Sequence, residues 1–218
     1  MPPIYEIMRV KKDFDVGAPP GSWRGIPALT IGHYLWLRNG YEPPVEARLC
    51  YTGHYLYIRF DVREKKVRVR FMGFQDPVYK DSCVEFFMDA FPDLGLGYIN
   101  FEANAAGAFL VAFGPDRHQR RPLRKEELRG FKSSSSVKGP VDGEIPAGRW
   151  ALAYRIPLDL FRRIYGRDIE PGQRAAANFF KCGDETEIPH YGAWSPVRTP
   201  APDFHRPEYF GTVVFGRP

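Results

Sequence analysis

A chain of 218 residues is long enough to close one sizeable core, and a hydrophobic content of 44% is that of a folded globular protein rather than a disordered chain. Its 21 glycines, 21 prolines and 15% aromatics favour strands and turns over long helices. The formal charge of +5 is spread over both halves without the dense basic face of a nucleic-acid reader, and no apolar run nears the ~18 residues of a membrane span, so neither partner is expected.

The opening MPPIYEIMRVKKDF lacks the basic, apolar and small-residue regions of a signal peptide. As written the chain reads as cytoplasmic, or as extracellular if an export signal has been removed. Cys50, Cys83 and Cys182 are odd in number and form no CxxC pair, which points to neither a disulfide framework nor a zinc ribbon.

The first clear element is EARLCYTGHYLYIRFDVRE, two apolar-rich runs about a Thr52-Gly53 turn. Leu56, Ile58, Phe60 and Val62 alternate with Tyr57, Arg59 and Asp61, the period of two of a strand with one buried face, so the pair reads as a β-hairpin. In DSCVEFFMDAF both alternating sets are largely apolar, which places that strand mid-sheet. GYINFEANAAGAFLVAFG gives two more strands broken at Ala106-Gly107. From Pro115 to Gly148 the charged RHQRRPLRKEELRGF and the Ser- and Gly-rich KSSSSVKGPVDGEIPAG read as solvated coil and exposed turn. RWALAYRIPLDLF returns to strand, then Pro157 and Asp159 start a short helix through Ile164; RAAANFFKC and YFGTVVF are further strands. Many short strands without βα alternation predict one β-sandwich domain over residues 1–218, with Leu56, Ile58, Phe60, Val84, Phe86 and Trp150 in its core.

Chemistry is sparse. Gly95-Leu96-Gly97 lacks the rest of a dinucleotide fingerprint, and no Walker loop, GxSxG elbow or HExxH is present. Glu85 and Glu102 lie in neighbouring predicted strands, Glu102 on one face with Asn100 and Asn104. Such a row serves as catalytic acid and nucleophile, as hydrogen-bonding floor for a ligand, or as structural polar surface. Cys182, His190 and His205 offer zinc-type donors, although gaps of eight and fifteen match no usual finger spacing. Tyr79, Trp194, Phe204 and Tyr209 stand in or beside loops, where a flat ring can cover the C–H face of a pyranose.

In order, ARLCYTGHYLYIRFDV, VYKDSCVEFFMD, YINFEANAAG, WALAYRIPLDLF, RAAANFFKC, AWSPV and FHRPEYFG resemble the family 9 carbohydrate-binding modules, and more closely their stand-alone relatives, over Val45 to Phe215. That resemblance implies an all-β, antiparallel sandwich of jelly-roll or immunoglobulin type with one or two short helices. It also implies non-catalytic binding of a sugar or oligosaccharide terminus of xylan or cellulose type, with no cofactor required and a structural calcium in related modules. Two tryptophans and a glutamate hold the sugar in the xylanase-attached modules; Tyr79 stands six residues before Glu85, and Phe204 six before Phe210-Gly211, at the matching places. A basic residue expected on the next strand falls near Glu102, with reversed charge. The loop from Asp184 to Pro207 then forms one wall, with Trp194 behind Phe204 and with Asn104, Asn178, Lys181, His205 and Arg206 as polar candidates. Two alternatives stand beside sugar binding: an interaction or assembly module on the same sandwich, and a glycosidase-like enzyme using Glu85 and Glu102.

Overall fold

The computed structural model describes residues 1–217. Its strands, in chain order, are β1 (Ile4–Arg9), β2 (Ala28–Ile31), β3 (Val45–Tyr51), β4 (Tyr55–Val62), β5 (Lys66–Val69), β6 (Cys83–Asp89), β7 (Tyr98–Asn104) and β8 (Phe109–Gly114). There follow β9 (Arg121–Pro122), β10 (Lys132–Ser135), β11 (Val141–Glu144), β12 (Trp150–Pro157), the helix α1 (Leu158–Tyr165), β13 (Arg174–Cys182), β14 (Tyr191–Ala193) and β15 (Gly211–Phe215).

Hydrogen bonding runs continuously through β10-β12-β4-β3-β1-β15-β13-β6-β7-β8-β9, with β2 on β3 and β14 on β13. The path folds into two leaves, because one alternating set of side chains from each half meets in a single cluster. Leu56, Ile58 and Phe60 of β4 and Trp150 and Leu152 of β12 meet Val84 and Phe86 of β6 there, each at most 2% exposed. The six core residues read from period two alone are all in this cluster. Each such side chain contributes roughly 1.5–3 kcal/mol of burial, an upper figure because unfolded chains already hide part of that surface.

One strand departs from the antiparallel expectation. β1 pairs in parallel with β15 through Ile4–Ile7 and then in parallel with β3 through Met8–Arg9, so it passes from one leaf to the other and joins them. The other ladders are antiparallel. The Ser-rich segment read as an exposed turn is also a strand: Lys132–Ser135 pairs with Arg155–Leu152 of β12 and covers what would otherwise be an open sheet edge. The expected short helix is α1, stopped by Gly166 in the left-handed conformation at φ 72°. Among the described residues no helix is long and apolar enough to cross a membrane.

Both leaves carry a second buried face. On the β3–β4–β12 leaf, Cys50, Tyr57 and Ala153 lie beneath Val16, Trp23 and Ile26 of the N-terminal segment. On the other leaf, Cys83, Phe87, Phe180 and Cys182 lie beneath Val197, Phe204 and Phe210 of the C-terminal loop. Two bonds and one close approach are among the contacts that hold that loop down. Ser195 exchanges a pair of 2.9 Å hydrogen bonds with the Asn178 side-chain amide, which acts here like one more backbone unit. The Trp194 ring packs edge-on to Phe179 at 5.5 Å and passes so close to Gly211 that a Cβ there would stand 2.5 Å from it. We expect Gly211→Ala to destabilise the fold by about 1–3 kcal/mol through overpacking, read as a lowered midpoint in thermal unfolding; an unchanged midpoint would show that Trp194 is not pinned.

Candidate functional site

β6, β7 and β13 are neighbours, so their outward residues share one surface. Register places Glu85 of β6 opposite Glu102 of β7 on one side and Phe180 of β13 on the other. Because the C-terminal loop lies over this surface, the acids are not solvated: Glu85 is 3% and Glu102 2% exposed. A cleft of about 200 Å³ remains between the loop and the leaf. Glu85, Glu102 and Cys182 form its floor, Tyr79 and Tyr191 contribute rings, and Phe204, His205 and Asp203 come from the loop.

Each acid has a different partner. The Arg120 guanidinium donates to Glu102 Oε1 at 3.0 Å, and the Asn100 amide donates to the same oxygen at 2.9 Å. Glu85 Oε1 accepts from the Cys182 thiol at 3.1 Å, a weak donor. Burial, and then the charge of Glu102 opposite, pushes the Glu85 carboxyl well above the usual carboxylate range, and the thiol hydrogen bond only partly offsets this. Burial also raises Glu102, with Arg120 pulling it back. The floor therefore holds a carboxyl that resists ionisation beside one that is paired with a cation, so the pair can donate as well as accept.

The walls are similarly ordered. Arg117 donates to Asp203 Oδ1 at 2.8 Å, and that oxygen also accepts the His205 backbone N–H at 3.1 Å. His205 Nδ1 lies 2.8 Å from the Tyr98 hydroxyl, and burial followed by the charges of Arg120 and Arg117 pushes the ring down to about 2, so it is neutral. Asp184, half-buried across the cleft, is raised by burial, with the Tyr191 hydroxyl lowering it in part. The Tyr79 turn is tied to the end of β13 by the Asp184 and Glu185 backbone N–H groups, which donate to Tyr79 and Lys80 carbonyls at 3.3 and 3.0 Å.

Of the ten candidates read from the sequence, Tyr79, Glu85, Glu102, Phe204 and His205 line this cleft. Phe204 is not the exposed ring expected: it is 7% exposed and stacks on Phe180 at 4.1 Å with an interplanar angle of 12°, so only part of it meets the cleft. Tyr79, by contrast, is half-buried. The other five are used elsewhere. Asn178 binds the Ser195 backbone, and Trp194 faces the inter-leaf core. Lys181 alternates with Cys182 on β13 and so points inward, where its ammonium donates to Glu64 Oε1 at 3.2 Å and to the Cys182 carbonyl at 2.9 Å and meets His190 Nε2 at 2.7 Å. Asn104 donates to Asp81 Oδ2 at 3.0 Å and accepts the Ala108 backbone N–H at 3.0 Å, which fixes the turn after β7. Arg206 lies on the surface against Glu208 at 2.7 Å.

The zinc-type trio is not assembled, since His190 is on the Lys181 side of β13 and His205 is held by Tyr98. Among the described residues, Cys83, Glu85 and Cys182 are the group of three close ligand atoms, and two sulfurs suit calcium poorly. Arg117, Arg120, Asp184, Tyr191 and Asp203 are cleft residues that the sequence reading passed over. Arg120 supplies the cation expected near Glu102, from beyond β8 rather than from the next strand.

The model for carbohydrate-binding family 9 matches residues 24–215, and the chain belongs to that family of non-catalytic binding modules. A candidate carbohydrate-binding protein from Bacteroides uniformis ATCC 8492 is 31% identical, with 99% of this chain and 100% of that one aligned at a TM-score of 0.87. A family 9 module from Caldicellulosiruptor kristjanssonii has the same fold at 13% identity: its glucose complex aligns with 99% of this chain and 97% of its own at a TM-score of 0.65, and its cellotriose complex with 99% and 95% at 0.63. No curated protein matches the chain.

The raised carboxyls have a consequence for stability. A group whose folded pKa exceeds its unfolded value stabilises the fold below the unfolded value and loses that contribution as pH rises through the folded one. Glu85→Gln, which cannot ionise, is therefore expected to unfold at a higher temperature than the wild type at pH 8, with the advantage gone near pH 4. Circular-dichroism melts across that range check it; a pH-independent difference between the two proteins would contradict a buried, reluctant acid.

Proposed function

We propose that the chain binds one sugar residue, free glucose or the glucosyl terminus of a short β-glucan, in the cleft floored by Glu85 and Glu102. The observation that carries this is the composition of the cleft: a half-buried Tyr79 ring beside a floor and walls in which carboxyls, guanidinium groups and a neutral histidine converge. A pyranose needs this mixture. Each hydroxyl is both donor and acceptor, so Glu85, Asp184 and Asp203 can accept while Arg117 and Arg120 donate, and the C–H face of the ring rests on an aromatic plane.

Size sets the ligand. About 200 Å³ lies below the ~300–1,000 Å³ of sites for drug-sized molecules, so a single ring enters and a longer chain extends outward. The glucose and cellotriose complexes of the C. kristjanssonii module support the choice of sugar. Tyr79 carries the stacking more than Phe204, whose ring is already covered by Phe180. The reading needs neither a cofactor nor a bound calcium, because side chains alone supply the polar contacts.

Titration calorimetry with glucose and cellotriose, with and without calcium, tests it. Binding is expected in the micromolar to millimolar range, about −8 to −4 kcal/mol, because each hydroxyl gives up water before it gains a protein partner. Tyr79→Ala and Glu85→Gln should each weaken binding at least tenfold with the cooperative thermal transition retained. Equal affinity in both variants would move the sugar elsewhere, and a glycan array without any sugar ligand would favour an interaction module.

A further inference from the structure

Beneath the cleft lies a second chemical group. Cys83 and Cys182 are register partners across β6 and β13, and Glu85 stands two residues beyond Cys83 on the same face of its strand. Both cysteines are free thiols. Their sulfurs and a Glu85 carboxylate oxygen all lie within 4.8 Å of one another, the Cys182 Sγ to Glu85 Oε1 separation being 3.1 Å. Cys83 is 0%, Cys182 1% and Glu85 3% exposed.

This combination is poorly explained by packing. A lone buried thiol behaves as a small hydrophobe, but here two thiols face each other and a carboxyl whose hydrogen-bond donor among the described side chains is one of them. The geometry suits a metal better. Around a tetrahedral ion with sulfur at about 2.3 Å and carboxylate oxygen at about 2.1 Å, ligand atoms stand roughly 3.5–3.8 Å apart, so the trio needs movements of about 1 Å or less. Two sulfurs and one oxygen select a thiophilic ion over calcium or magnesium. Cys182 and Glu85 also line the cleft, which gives an ion a route in and leaves a fourth position for water.

We propose that Cys83, Glu85 and Cys182 form a three-ligand site for a thiophilic divalent cation, zinc or cadmium, at the floor of the cleft. Each thiol gives up its proton to water as its sulfur–metal bond forms, with no change of oxidation state. Glu85 Oε1 faces the sulfurs, so an ion there and a ligand in the cleft share this carboxylate.

Cadmium is the probe, because its bonds to thiolate give an ultraviolet charge-transfer band. The whole protein, stripped with a chelator, then freed of it and held reduced by a non-thiol reductant, is titrated with cadmium in the absence of sugar, so the result stands apart from the sugar reading. The expected result is a band that saturates at one cadmium per chain with micromolar or tighter affinity. Cys83→Ser and Cys182→Ser should abolish it, and Glu85→Gln should weaken it at least tenfold, each with its fold checked by circular dichroism. Cys50→Ser removes a thiol buried on the opposite leaf and should leave the band unchanged. Absence of the band in the folded wild type overturns the proposal without recourse to any variant. So does a band that survives Cys182→Ser or vanishes in a folded Cys50→Ser.

Discussion

The organisation of this molecule depends on a sheet leaf that is buried on both faces. In most sandwiches the outer face of a leaf is wet, and acids on it are unremarkable. Here the segment between β14 and β15 lies over β6, β7 and β13, so the direct cross-strand pair of Glu85 and Glu102 sits in a place where water is scarce. Two carboxyls cannot both ionise there at low cost. Arg120 is brought in for one, and the other is left to a thiol and to whatever enters the cleft. The polar floor, its reluctance to ionise and its suitability for a hydroxyl-rich ligand all follow from that covering loop.

The loop in turn is held by residues whose chemistry first suggests ligand contact. Asn178 imitates a backbone partner for Ser195, Trp194 wedges into the core beside Gly211, and Phe204 stacks on Phe180. On the inner side of β13, Lys181, Glu64 and His190 form a fully buried charged cluster in which the imidazole is pushed down to about 3, by burial and then by the neighbouring ammonium. Removing Lys181 or Glu64 alone leaves the other as an uncompensated buried charge, at a cost of about 3–5 kcal/mol. These groups build the walls, and the cleft residues proper are fewer.

The fold was largely legible because period two is a local signal. The runs Tyr55–Val62, Cys83–Asp89 and Arg174–Cys182 each announce a strand, and their apolar sets meet in the core as their alternation demands. The parallel strand β1 was not legible, since what makes it a strand is its position between β15 and β3, a contact across the whole chain. Lys132–Ser135 likewise has turn-like composition and becomes a strand only because β12 offers it an edge. In the site, Glu85 and Glu102 could be placed together from alternation, whereas Arg117 and Arg120 lay hidden in a charged segment whose partners are long-range. Lys181 was decidable from the sequence: it alternates with Phe180 and Cys182 and so cannot share their face.

The chain belongs to carbohydrate-binding family 9, and we propose that one sugar ring sits above Glu85 and Glu102. The most direct measurement is a crystal structure of the chain soaked with cellotriose. A terminal glucosyl ring is expected in the cleft, its face against Tyr79 and its hydroxyls within hydrogen-bond distance of Glu85 and Arg120. Cellotriose ordered on another surface, with this cleft empty, would contradict it.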